Sequence, residues 1–137
     1  MKIIKLITLL LFITFPSKIY ALIEVDITRG NLNPLPIAVS ALYSDKETTE
    51  TLKKELKINQ IGEEISIVIE NNLKATGLFN PLEKKAFLQK PDVAHLKPRF
   101  EDWSLIKAQA LITGKVEFKD DKVRVEFRLW DVLAAKE

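Results

Sequence analysis

The chain has 137 residues, of which 47% are apolar and 29% charged, with one histidine and no cysteine. This is the composition of a folded globular chain, and it excludes a disordered polymer, a disulfide framework and a thiolate metal centre. The formal net charge is +2, but three lysines and no acid lie in the first 21 residues, so the remainder carries 18 basic and 19 acidic side chains. A charge that even gives no electrostatic footprint for nucleic acid.

The amino terminus reads as an export signal. Lys2 and Lys5 give a positive start, and Leu6 to Phe15 is uncharged and almost wholly apolar. Pro16 and Ser17 break the run, and Ile19-Tyr20-Ala21 offers a small residue at the cut. Charge, apolar run and small-residue cleavage site are the parts a signal peptide needs. The run is shorter than the roughly 20 apolar residues that span a bilayer. Cleavage is expected between Ala21 and Leu22, leaving a 116-residue exported chain, one ordinary domain.

Ile23, Val25 and Ile27 alternate with Glu24, Asp26 and Thr28, the period-two pattern of a short strand. Gly30, Asn31, Asn33 and Pro34 end it with turn chemistry. Ile37 to Leu42 is a continuous apolar run, which suits a central strand covered on both faces. Asp45 to Lys57 is dense in Lys, Glu and Thr and predicts a surface helix or insertion with Leu52 and Leu56 on one side. Its lysines are balanced by Glu50 and Glu55.

Ile61 to Ala75 predicts a helix with a stripe of Ile61, Ile65, Val68, Ile69 and Leu73. Asn59 is the expected N-cap, Glu63 and Glu64 suit the first turn, and Gly77 is the expected stop. Leu78-Phe79 continues as a short extended piece turning at Asn80-Pro81. Glu83 to Pro98 predicts a helical turn within a long loop, holding His95 as a solvated residue. Phe100 to Lys107 predicts a short helix, capped by Asp102, with Trp103 as a core anchor.

The chain closes in a predicted β-hairpin. Ala110 to Phe118 and Val123 to Leu129 are its strands and Lys119 to Lys122 its turn. Val123, Val125, Phe127 and Leu129 form one face of the returning strand. Gly114 in mid-strand suggests a bulge or a close helix–strand approach. The fold class expected is α/β, a mixed sheet with two or three helices packed on it.

Chemistry-bearing motifs are missing. The chain has four glycines and shows neither a nucleophile elbow nor a phosphate-binding glycine loop. The acidic pairs Glu63-Glu64, Glu101-Asp102 and Asp120-Asp121 fall at helix starts or a turn, where dipole matching and turn formation account for them. No catalytic residue, metal ligand, cofactor or small-molecule substrate is expected.

The ordered pieces resemble the TolB family of the periplasmic Tol–Pal system. The resemblance rests on Ile23-Glu24-Val25-Asp26-Ile27-Thr28-Arg29-Gly30 and Pro36-Ile37-Ala38-Val39, followed by Ile61-Gly62 and Gly77-Leu78-Phe79-Asn80-Pro81-Leu82. Trp103, Ala110 to Val116 and Val123 to Asp131 continue it. It implies a periplasmic, non-enzymatic component that serves outer-membrane invagination during cell division and envelope integrity. It also implies an amino-terminal α/β domain followed by a six-bladed propeller that binds the lipoprotein Pal. Group A colicins exploit the same system for import. The expected organisation is a signal peptide at 1–21, an extended segment at 22–34 and the α/β domain at 35–137. The propeller and the closing strand and helix of the domain are missing, so Pal binding is carried over to no residue here. The stretch Asp45 to Lys57 is longer than the family pattern.

The resemblance implies that Leu22, Ile23, Glu24, Val25, Asp26, Ile27, Thr28 and Arg29 bind the carboxy-terminal domain of TolA. A free strand can pair its backbone with a partner's sheet edge, its alternate apolar side chains filling pockets. The residues themselves leave open that this strand belongs to the domain's own sheet. Two other readings stand beside this one. The first is an unrelated exported α/β enzyme or binding module. The second is a non-functional truncated remnant with one sheet edge and part of the Ile61 helix uncovered.

Overall fold

A computed structural model describes residues 33–137. The expected strand at Ile23 to Ile27 and the expected cleavage site lie outside the described residues. Strand β1 (Leu35–Val39) runs through the middle of a mixed sheet. It pairs in parallel with β3 (Phe79–Pro81) on one side and with β4 (Ala110–Lys119) on the other. Ile37, Ala38 and Val39 are buried, as a strand covered on both faces requires.

The apolar run does not stay in the sheet to Leu42. Val39 lies opposite Ile112, and Tyr43, in β2 (Tyr43–Ser44), lies opposite Lys115. Four residues therefore span what β4 covers in three. This is a bulge on the β1–β2 side, one strand path interrupted by an unpaired residue. There the Leu42 N–H leaves the sheet and donates to the Gly62 carbonyl at 3.1 Å.

Helix α1 (Lys46–Leu56) follows. The Asp45 carboxylate caps it by accepting from the Thr48 N–H at 2.7 Å, and Lys57 closes it in the left-handed region at φ 58°. The expected Leu52–Leu56 stripe is halved. Leu52 is buried against Leu42 and Val116, whereas Leu56 is exposed and Thr48 takes the second inward position. Burying one leucine this way stabilises by about 1.5–3 kcal/mol.

Helix α2 (Ile61–Ala75) has the expected bounds. Ile61, Ile65, Ile69 and Leu73 pack on the sheet. Val68 is exposed, contrary to the expected stripe, and the small Gly62 and Ser66 are the fully buried positions. Small side chains there let the helix approach the sheet closely. Gln60, not Asn59, is the residue at the N-cap, and its side chain makes no capping bond. Gly77 ends the helix at φ 72°, as expected. Lys84, in a 3₁₀ turn at Lys84–Ala86, donates to Ser66 Oγ at 2.6 Å and to Glu63 Oε1 at 2.7 Å. Its ammonium also lies 3.2 Å from the buried Glu70 Oε1, as an ion pair without hydrogen-bond geometry. These contacts tie one flank of α2 to the chain leaving β3.

The opposite face of the sheet is covered by residues between Leu82 and Ala108. This segment contains α3 (Pro91–Ala94) and α4 (Phe100–Leu105), so the described residues hold four α-helices where two or three were expected. Trp103 is buried among Ala38, Ala94, Ala108 and Leu111, the core role expected of it. Gln89 organises the loop: its Oε1 accepts from the Trp103 indole N–H at 3.0 Å and from the Arg99 N–H at 2.9 Å. Its Nε2 donates to the Lys97 carbonyl at 3.1 Å. Asp102 does not cap α4; it sits inside the first turn and pairs with Arg99 at 2.6 Å.

Strand β5 (Lys122–Asp131) returns antiparallel along β4. Asp120 and Asp121 both adopt positive φ, 51° and 57°, which is the two-residue hairpin geometry. The β4–β5 register runs without interruption, so Gly114 marks no bulge. A Cβ there would stand 2.2 Å from the Glu126 carbonyl oxygen, so the close approach is to β5 backbone, not to a helix. The apolar face of β5 is exposed at Val123, Val125, Phe127 and Leu129. Only Trp130 turns inward from the strand's carboxyl half, donating its indole N–H to Thr113 Oγ1 at 2.8 Å. The chain does not simply end after β5, because Val132 is buried and its N–H donates to the Gln109 carbonyl at 3.0 Å.

Candidate partner-binding surface

The predicted partner-binding residues Leu22 to Arg29 lie outside the described residues. The described chain begins at the exposed Asn33 and Pro34 and enters the sheet at Leu35, whose N–H donates to the Leu78 carbonyl at 2.8 Å. The segment carrying the predicted site is thus joined to the central strand of the sheet. That strand pairs with β3 over Leu35–Ile37 and with β4 over Ile37–Val39.

Elsewhere the side chains that could carry chemistry are engaged in structure. His95 is half-buried and not a solvated loop residue. It ends α3, stacks on Tyr43 at a centroid distance of 4.3 Å, and its Nδ1 lies 3.0 Å from the Pro91 carbonyl, which it meets as a donor. Among the described residues no group of three or more His, Cys, Asp or Glu side chains converges to hold a metal ion. The acidic pairs fall where expected: Glu63 binds Lys84, Asp102 binds Arg99, and Asp120-Asp121 forms the hairpin turn.

Two of the concavities among the described residues border these side chains. A groove of about 330 Å³ lies at the amino-terminal end of α2, between Tyr43, Asn59, Gly62 and Lys90. A smaller cavity of about 200 Å³ lies beside His95, Leu96, Lys115, Glu126 and Arg128. The charges at its rim neutralise one another. Lys115 Nζ donates to Glu117 Oε1 at 2.7 Å and lies 3.6 Å from Glu126 Oε2. The hydrogen bond to Glu117, with the two carboxylate charges behind it and some desolvation against it, raises the Lys115 pKa above its ordinary value. The same hydrogen bond lowers that of Glu117. Both groups sit at the surface, so the pair is solvent-screened and contributes little to stability. Among the described residues no helix is long and apolar enough to cross a membrane.

Sequence reasoning missed Gln89 and Lys84, the two side chains that fix the loops over the sheet. Neither carried a local signal: Lys84 stands between Glu83 and Lys85, and Gln89 between Leu88 and Lys90.

Comparison with known proteins agrees with the architecture. Residues 23–137 match the TolB amino-terminal domain. The Tol-Pal system protein TolB of Pelagibacter ubique (strain HTCC1062) is 71% identical over 128 residues, 93% of this chain and 29% of that protein. The Tol-Pal system protein TolB of Paramagnetospirillum magneticum (strain ATCC 700264 / AMB-1) is 42% identical over 111 residues, 80% of this chain and 23% of that protein. The chain therefore spans less than a third of the length of either relative. The crystal structure of TolB from Acinetobacter baumannii shares the fold, with a TM-score of 0.52 at 17% identity, over 75% of this chain and 21% of that one. With its family match running from Ile23 to Glu137, and its mixed sheet shared with a solved TolB, the chain belongs to the TolB amino-terminal domain family.

Proposed function

We propose that this chain is an exported, periplasmic interaction module of a Tol–Pal system, and that Leu22 to Arg29 bind the carboxy-terminal domain of TolA. The observation that carries the reading is the family match, which begins at Ile23, just past the expected cleavage after Ala21. The 71% identity to a Tol-Pal system protein supports it. The module binds rather than catalyses, and in the longer relatives the regions this chain does not span would engage Pal. In this reading it couples inner to outer membrane during division and maintains the envelope.

The sheet suits a load-bearing attachment. A pull on the amino-terminal segment enters at Leu35, in the strand flanked by β3 and β4. Force along β1 shears two ladders of parallel hydrogen bonds together, whereas force on an edge strand would open one ladder bond by bond.

The test is removal of residues 22–29 from the exported chain, with binding to the TolA carboxy-terminal domain measured by titration calorimetry. Binding is expected to disappear while the thermal transition of the domain stays where it was. Retained binding of unchanged affinity overturns the site.

A further inference from the structure

We propose that Lys84 is a load latch, which holds the edge strand β3 to α2 so that β3 resists when the amino-terminal segment is pulled. The inference rests on the reading that load enters at Leu35, and it concerns the edge of the sheet remote from β5. Among the described residues β3 pairs only with β1. An edge strand bonded only to the strand under load offers no resistance, because it travels with that strand. β3 shares the load only if something other than β1 anchors it.

Both ends of β3 are anchored to the same helix. The amino end is joined to α2 through the turn at Gly77, and Phe79 packs beside Ile69 and Leu73 on the cluster of Ile37. The carboxyl end is anchored by Lys84, three residues past Pro81. Its ammonium reaches Glu63, Ser66 and Glu70, at 2.7, 2.6 and 3.2 Å. These positions are spaced i, i+3 and i+7, so they line one flank of α2. Between strand and latch lies Leu82, whose N–H donates to the Ile37 carbonyl at 2.9 Å. The far end of the β1–β3 ladder is therefore next to Lys84.

The cluster is shielded, unlike an ordinary surface pair. Ser66 is fully buried, and its Oγ accepts from Lys84 while donating to the Glu63 carbonyl at 2.7 Å. The Lys84 and Glu70 side chains are only 25% and 22% exposed. Glu70 Oε1 is buried without a hydrogen-bond partner, and the Lys84 ammonium is the charge that faces it. The next residue, Lys85, pairs with Glu83 in the open, at 83% and 70% exposure. An exposed pair contributes little, whereas parting a shielded one leaves a carboxylate uncompensated. Lys84 thus resists the separation of β3 from α2 in a way its neighbour cannot.

The experiment is optical-tweezers unfolding of the full chain, expressed for export and purified. It is held at its amino terminus and through Lys119→Cys at the tip of the hairpin, the chain having no cysteine of its own. β1 and β4 are parallel, so this geometry shears β1 along the sheet. β1 has three register pairs with β3 and three with β4. Lys84→Met is expected to lower the unfolding force by about half, one of two equal ladders. Lys85→Met is expected to leave it unchanged. Glu63→Met with Glu70→Met opens the same latch from the helix side and is expected to give the same fall, with no further fall when Lys84→Met is added. Amide exchange supplies a test that needs no variant. In the unsubstituted chain the Leu82 N–H is expected to exchange as slowly as the Ser40 N–H, which donates to the Ile112 carbonyl at 2.9 Å on the β4 side. Lys84→Met is expected to speed Leu82 about tenfold and to leave Ser40 as it was. An unchanged force in Lys84→Met, an equal fall in Lys85→Met, or a Leu82 amide that exchanges freely in the unsubstituted chain overturns the proposal. Neither measurement contains TolA, so these results bear on the latch, whereas the calorimetric titration bears on the TolA site.

Discussion

Gly62 is the position at which a single methyl group should do the most damage. A Cβ built on it would lie 1.9 Å from the Leu42 carbonyl oxygen and 2.9 Å from the Leu42 carbonyl carbon. Both are backbone atoms, so no side-chain rotation relieves the contact. Restoring an ordinary separation needs a shift of well over 1 Å between the first turn of α2 and the bulge after β1. That shift breaks the Leu42 N–H to Gly62 bond and loosens Leu42, Leu52 and Val116, which share one buried cluster. Overpacking costs typically 1–3 kcal/mol and a lost buried hydrogen bond about 1–3 kcal/mol. Alanine's better helix propensity returns at most about 1 kcal/mol. Gly62→Ala is therefore expected to destabilise by about 2–4 kcal/mol, a fall in Tm of roughly 10–25 °C for a domain near 100 residues. Urea unfolding followed by circular dichroism reads the first figure and a thermal melt the second. Gly77→Ala is the control. It also replaces a glycine at α2, but nothing lies within 4 Å of its Cβ and only the φ of 72° is strained. Its expected cost is about 1 kcal/mol. If Gly62→Ala leaves the melt unchanged or raises it, helix propensity governs the site and the steric reasoning is refuted.

Three further outcomes follow from the same structure. Gln89→Leu leaves the Trp103 indole and the Arg99 amide without their acceptor. It should cost about 2–4 kcal/mol in urea unfolding and expose Trp103, seen as a red shift of its fluorescence. Asp121→Gly removes a side chain from a residue at φ 57° in the hairpin turn and should stabilise by about 0.5–1 kcal/mol in the same assay. The Lys115–Glu117 pair sets a pH window. Glu117 is lowered from 4.5 by the hydrogen bond to Lys115, so its contribution is present above 4.5 and is lost as pH falls through the folded value. Lys115 is raised from 10.5, so its contribution is complete below 10.5 and is lost as pH rises through the folded value. An NMR titration should place the Glu117 carboxyl midpoint below 4.5, and Lys115→Met should return it to the ordinary range. A midpoint at or above 4.5 in the unsubstituted chain would contradict the pairing.

The elements that repeat a pattern were legible in the sequence. Ile61 to Ala75 has a 3.6-residue stripe ended by a glycine, and the structure places the helix within those bounds. The hairpin has a period of two and a polar turn, and its strands fall within a residue or two of expectation. What the patterns could not carry was context. An apolar run from Ile37 to Leu42 reads as one strand, because a bulge is defined by the register of β4, which is remote in sequence. Val68 fits the stripe of α2 yet is exposed, since the sheet beneath decides how wide a stripe is covered. The alternation in β5 says which residues share a face, not whether anything lies over them. Gln89 has no local signature, because the two groups its Oε1 accepts from, the Arg99 amide and the Trp103 indole, come from ten or more residues away. The candidate site at Leu22 to Arg29 was legible only as a strand-competent segment and through the family resemblance, and it lies outside the described residues.

The central claim is that a short linear segment, rather than the folded surface, makes the TolA contact. A synthetic peptide of residues 22–33 competing with the full chain, expressed for export and purified, for the TolA carboxy-terminal domain tests this most directly. The account predicts complete displacement by the peptide, and loss of displacement when Ile23, Val25 and Ile27 are all replaced by Asp. A chain that binds TolA while the peptide displaces none of it would contradict the account and move the contact onto the α/β domain.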